Sequence, residues 1–246
     1  MRIKKIRDLT FIDLDRKRTI VIACDSCGSI GLKEHDVLKV PPFITGQYTA
    51  RVAILEVLCA GAKVIGLTNT ICNEMEPTGR EIIRGIKAEL KDAGIDSVAL
   101  TGSTEENFPS FSTGLGITAI GIADKAKLKV NSVKDAALVL ALGRPMLGQE
   151  IVDSPKTSMV DYPLIQELLK QEEIYELVPV GSKGILYEVY QLAWNNSLKL
   201  ILNDAVDVDI HRSAGPSTVV LAAVKPDAWP MINFAGNMEV IGRLSK

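Results

Sequence analysis

Apolar positions along this chain follow two periods. Short runs rich in Val and Ile, at residues 19–24, 63–69, 97–101 and 115–123, are bounded by turn residues and predict strands. Two intervening segments carry the helical period. Residues 46–60 are apolar on nearly every face and stop at Gly61, whereas 79–93 gather Ile82, Ile83, Ile86 and Leu90 on one face. Thr78 and Glu81 have capping-box spacing at the start of that second helix, and Gly94 fits its end. The charged stretch 124–135 looks like a domain junction. Beyond it the pattern predicts a strand at 136–142, a Gly/Pro loop at 143–155, helices near 162–171 and at 183–195, and strands at 198–203 and 217–224. There is no internal repeat, and the order predicts an α+β chain of two α/β lobes, with domains at 1–128 and 129–246.

Few charges fall inside the apolar runs, and those few carry the candidate chemistry. Asp25 ends a strand, where open sheets bind ligands. Arg51 and Glu56 are the only charges in 48–60 (YTARVAILEVLCA), and a buried charge must be paired or bound to a metal. The loop beginning Gly102-Ser103-Thr104 runs into Glu105 and Glu106, so small residues able to approach phosphate precede two carboxylates. Together these are the parts of a metal-phosphate site. The plain alternatives are that Asp25 caps a turn, that Glu56 pairs with a structural Arg, and that Lys33 and Lys183 are solvated.

Composition narrows the class. With 246 residues, 47% hydrophobic content and net charge −2, the chain can bury one large core or two modest ones. It lacks the basic stripe of a nucleic-acid binder. No run reaches the length of a membrane span, and the amino terminus lacks a signal-peptide core, which predicts a cytoplasmic protein. Cys24 and Cys27 form a CxxC followed by Gly28, Ser29 and Gly31; that is a loop rather than a redox helix, so the cysteines are expected to be reduced thiols. His35 and His211 have no triad or metal partner at useful spacing. Asp204, Asp207 and Asp209 alternate with apolar residues as a half-solvated strand would, and Trp194 and Trp229 are expected to pack.

Three segments in this order, DSCGSIGLKEHD, ARVAILEVLCAGAKVIG and LTGSTEENFPSFSTGLGITAIGIA, resemble the amino-terminal domain of the aminoimidazole ribonucleotide synthetase superfamily. That superfamily includes thiamine monophosphate kinase, selenophosphate synthetase and a hydrogenase maturation dehydratase. The resemblance implies ATP and Mg²⁺ as cofactors, a small-molecule substrate, a homodimer and a shortened carboxy-terminal α/β domain. Asp25 falls on the family's first acidic motif, with Gly28, Gly31 and Lys33 on the positions behind it. Glu56 stands where an Asp is usual, and Thr101-Gly102-Ser103-Thr104 stands where the family has Gly-Gly-Asp-Thr, so Glu105 or Glu106 is expected to supply the missing carboxylate. Lys183, in Gly181-Ser182-Lys183-Gly184, replaces an Asp of the thiamine monophosphate kinase branch.

The resemblance thus implies metal ligands among Asp25, Glu56, Glu105 and Glu106, a phosphate cradle from Gly28, Gly31, Gly102, Ser103 and Thr104, and catalytic roles for Asp25, Lys33, Arg51 and Lys183. Arg51 is expected to pair with Glu56 or a phosphate. The activity implied is a small-molecule kinase resembling the α-ribazole kinase branch of cobalamin salvage. An ATP-dependent cyclase or dehydratase, and a non-catalytic nucleotide-binding partner, remain as alternatives.

Overall fold

The structure, a computed structural model, describes residues 2–246. The chain divides into two compact units. One takes the residues up to Val57 with Ala62–Ala123, and the other takes Leu58–Gly61 with Asp124–Lys246.

The first unit is a six-stranded sheet backed by two helices. Its strands are β1 (Ile3–Ile6), β2 (Leu9–Asp13), β3 (Arg18–Gly28), β6 (Lys63–Ile71), β7 (Ala99–Thr104) and β8 (Gly114–Asp124), in the order β1-β2-β3-β8-β6-β7. Two short strands, β4 (Ile30–Gly31) and β5 (Leu38–Lys39), pair in parallel beside it. The helices are α1 (Pro42–Cys59) and α2 (Arg80–Asp92). Alternation sorts the sheet into faces: Leu9, Phe11, Val21, Ala23, Leu115, Ile117 and Ala119 are buried, whereas Ile12, Ile20, Ile22, Ile120 and Ile122 on the other face stay partly exposed. Helices α1 and α2 touch backbone to backbone where Gly46 meets Ile82 and Gly85 meets Phe43, since a Cβ at either glycine would collide with a carbonyl.

Hairpin β1–β2 lies in the charged amino-terminal stretch, where no strand is expected; its pairing of Lys4 with Phe11 and Ile6 with Leu9 hides a strand pattern among lysines. The capping box does not form. Instead the Thr78 hydroxyl donates to Glu74 Oε1 at 2.5 Å. At the other end of α2, Gly94 adopts φ +67° just past the last turn, as its position predicts.

In the second unit, β9 (Ala137–Gly143), β10 (Ile174–Pro179), β11 (Lys199–Leu202), β12 (Val219–Val224) and β13 (Met238–Ser245) form an antiparallel sheet in the order β10-β12-β9-β13-β11. Helices α3 (Gln149–Asp153), α4 (Tyr162–Leu168) and α5 (Gly184–Asn195) connect them. Ile185, Val189 and Leu192, at helical spacing on α5, join Val139, Val178, Leu221 and Ile241 in the core. Gly184 opens α5 at φ +80° with the Arg212 carbonyl against it, which leaves no room for a side chain.

Two expectations for this unit fail. The 204–210 segment is a loop, because both carboxylate oxygens of Glu239 accept backbone N–H groups, from Asp207 and, at 2.9 Å, from Val208. Trp194 is 81% exposed and Trp229 39%, so neither is buried; Trp194 shares the outer stripe of α5 with Tyr187 and Tyr190. Among the described residues no helix is long and apolar enough to cross a membrane.

Candidate functional site

Asp25 sits near the end of β3, and the strand's alternation turns it toward the same side as buried Val21 and Ala23. Burial pushes its carboxyl up to about 6; a backbone hydrogen bond from Ser26 opposes this, and the nearby Asp8 carboxylate reinforces it. A half-buried carboxylate with an exposed one nearby makes a site whose charge favours a cation. Asp8 is a residue that sequence patterning missed, because it lies in the β1–β2 turn among scattered charges. Cys27 lies on the same side of the strand, where burial raises its thiol and the Thr49 hydroxyl of α1 opposes the rise. Cys24 points to the opposite face, and Cys24, Cys27, Cys59 and Cys72 form no disulfide among the described residues.

The predicted phosphate-cradle loop is not a loop. Gly102, Ser103 and Thr104 continue β7, paired in parallel with Asn69, Thr70 and Ile71 of β6, whose ladder supplies their hydrogen bonds. Gly102 lies directly under the Asn69 side chain, whose amide also donates to the Thr101 carbonyl at 3.2 Å. The two acids that follow are held by backbone amides. Glu105 Oε1 accepts from Asn107 at 2.6 Å and Phe108 at 3.2 Å, which lowers its pKa. Glu106 Oε1 accepts from Met75 N–H and the Thr104 hydroxyl, both at 2.8 Å. Among the described residues no three His, Cys, Asp or Glu are grouped closely enough to hold a metal. Asp25, Glu56, Glu105 and Glu106 therefore do not converge into one ligand set.

Lys33 is neither solvated nor free: its Nζ lies 2.5 Å from Glu74 Oε2. The loop around it is organised by Asp36, a residue that spacing did not single out. Its buried carboxylate accepts the N–H groups of Lys33 and Thr113 and the Thr113 hydroxyl, each at 2.7 Å. Gly31 packs against those same groups, so a side chain there would displace them, whereas Gly28 faces open space. Asn73, fully buried, bonds Ser110, Ser112 and Gly114 and anchors the segment after β7.

Arg51 of α1 faces α2. Its Nη1 lies 3.7 Å from Glu89 Oε1 of α2, with both side chains almost wholly buried. This ion pair explains why an apolar helix carries an arginine: the charge is matched across the α1–α2 crossing. Glu56 is half-buried on α1. In the second unit Lys183, at the start of α5, sets its Nζ 4.2 Å from the centre of the Tyr187 ring.

Comparison with known proteins follows the division into units. Residues 7–123 match the family described as AIR synthase related protein, N-terminal domain. Over 109 residues the chain is 33% identical to a selenide, water dikinase from Bordetella bronchiseptica; that stretch is 43% of this chain and 30% of the relative. Among solved structures, thiamine monophosphate kinase from Aquifex aeolicus has a TM-score of 0.68 at 12% identity, covering 99% of this chain and 90% of the kinase. PurL from Thermotoga maritima complexed with ATP has a TM-score of 0.59 at 14% identity, covering 97% of this chain and 37% of that one. At such identity these two establish a shared fold.

Proposed function

Since residues 7–123 of this chain belong to the AIR synthase-related family, we propose that it is an ATP- and Mg²⁺-dependent phosphotransferase acting on a small hydroxyl-bearing metabolite. The observation that carries this is the strand-end position of Asp25 beside Asp8, within the unit that the family match spans. Hard oxygen donors with excess negative charge fit Mg²⁺, which is commonly held by one or two carboxylates together with substrate phosphates and water. Asp25 and Asp8 would hold it here, and the ion would neutralise charge on the transferring phosphoryl group.

The chain's own contribution is to position and screen. The Asp36–Thr113 clamp and the Asn73 hub hold the loops after β3 and β7, and Lys33 is drawn to the same region by Glu74. Phosphoryl transfer asks little more of a protein than such ordering and charge balance. The relatives' names support the class: one is a selenide, water dikinase and another a thiamine monophosphate kinase. Within the class we favour α-ribazole as acceptor, on the Glu56 and Lys183 departures. The partly exposed isoleucines of the first sheet support a homodimer formed through that face. A cytoplasmic location accords with these substrates.

The test is ADP release and product mass with Mg²⁺-ATP and a panel of hydroxyl metabolites that includes α-ribazole, run beside Asp25→Asn and Glu56→Ala. A product heavier by one phosphoryl group, lost in the variants, supports the kinase. ADP without such a product favours a cyclase or dehydratase. Nucleotide binding with no ADP favours a non-catalytic partner, a second reading motivated by the engagement of Glu105 and Glu106 with backbone amides.

A further inference from the structure

The second unit contains a cavity of about 530 Å³ at the end of β9. That is ample for a small metabolite, since ligand pockets commonly span about 300–1,000 Å³. Its apolar floor includes Ala141 and Pro145. Its polar wall is divided between groups already used and groups left open.

The used groups are structural. Glu239 spends both oxygens on the backbone of Asp207 and Val208, and so holds the loop that forms one side. Arg212 is bonded to Glu150, and Asp209 Oδ1 accepts the His211 N–H at 3.0 Å.

Two groups are open. Arg144 lines the cavity with its guanidinium engaged in no hydrogen bond or ion pair among the described residues, and Asp207 presents a carboxylate in the same condition. Backbone geometry directs Arg144 there. Gly143 turns the chain at φ +101° with the Thr218 carbonyl packed against it, a conformation and a closeness that only glycine accepts, and the next residue is delivered to the cavity wall. The Arg144 charge also reaches Glu150, whose pKa is lowered most by the Arg212 hydrogen bond, then by the Leu147 N–H, and last by Arg144.

From this geometry we infer that the cavity of the second unit binds a small organic anion bearing hydroxyl groups, with Arg144 taking its carboxylate or phosphate and Asp207 accepting from a hydroxyl. A guanidinium fork suits a planar or tetrahedral oxyanion, and a carboxylate with spare lone pairs suits a vicinal diol. The cavity lies within one unit and is argued without nucleotide, so it goes beyond the phosphotransferase proposal and does not depend on it.

The test is calorimetric titration of the full chain, without ATP, using ribose 5-phosphate, gluconate, ribose and inorganic phosphate as separate probes. Ribose 5-phosphate or gluconate is expected to bind, with ribose much weaker. Arg144→Gln should weaken the anionic probe at least about tenfold, as loss of a charged hydrogen bond does, and Arg144→Lys should recover part of it. Asp207→Asn should weaken ribose 5-phosphate while leaving inorganic phosphate unchanged. Binding of only one anion assigns the group as phosphate or carboxylate, and binding of both assigns recognition to charge. The inference is overturned if neither anion binds, if ribose binds as well as ribose 5-phosphate, or if Arg144→Gln, folded by circular dichroism, binds as the parent does. Failure here leaves the ADP-release test of the kinase unaffected.

Discussion

Asp36 grips Thr113 twice, taking its amide N–H on one carboxylate oxygen and its hydroxyl on the other, each at 2.7 Å. The contact joins the loop after β3 to the start of β8 across 77 positions of sequence. Asp36→Ala strands two backbone donors in a buried place and should cost about 2–4 kcal/mol. Urea unfolding would show this as a lower midpoint at unchanged slope. Asp36→Asn, which keeps one acceptor, should lose less.

The Arg51–Glu89 pair separates a structural from a phosphate-binding role. Removing one partner, as in Arg51→Met, leaves a buried charge uncompensated and should cost about 3–5 kcal/mol. The double variant Arg51→Met with Glu89→Leu should regain most of that loss. Were Arg51 a phosphate ligand, the double variant would recover stability yet lose nucleotide affinity. The burial and pairing of both side chains predict that affinity is retained, and titration of a nucleotide analogue checks it.

Asp25 gives a pH signature with a definite sign. The folded state holds its proton up to about pH 6, whereas the unfolded chain releases it near the ordinary value of 3.8. Over that interval the native state binds more protons, so this group's contribution to stability is present at low pH and is lost as pH rises through about 6. Asp25→Asn should therefore stabilise the ligand-free protein at alkaline pH by up to about 3 kcal/mol, with the gain vanishing in acid. Thermal unfolding across pH measures this. The same variant should bind Mg²⁺-nucleotide weakly, and the parent's affinity should fall as Asp25 takes up its proton.

Gly102 and Asn69 make a testable pair. Gly102→Ala drives a methyl into the Asn69 amide and should cost about 1–3 kcal/mol. Combining it with Asn69→Ala removes the obstruction, so the double variant should be less damaged than the sum of the singles, as a double-mutant cycle in chemical denaturation would reveal.

Much of the fold was legible because period and punctuation agreed. The strand at 115–123 and the amphipathic helix at 79–93 emerge within a residue or two of their observed limits, and the three-segment resemblance points to the right superfamily. What escaped depends on partners distant in sequence. Residues 102–104 look like a small-residue loop until β6 pairs with them, and 204–210 alternate like a strand until Glu239 takes their amides. Arg51 could be recognised as buried and therefore matched, but Glu89 could not be named, because the close α1–α2 crossing depends on two glycines in different helices. Asp8 and Asp36 carried no local signal; each is defined by what folding sets beside it.

Strand β12 lies between β10 and β9 with all six residues, Val219–Val224, buried. Its amide protons have no route to solvent short of dismantling the sheet on both sides, so they should be the last in the second unit to exchange for deuterium. That makes β12 an internal clock for its own unit. The slow protons of Leu67 and Ala119, in β6 and β8, can serve the first unit in the same way. A ligand added to the intact chain would then reveal which unit it steadies by which set of protons it slows.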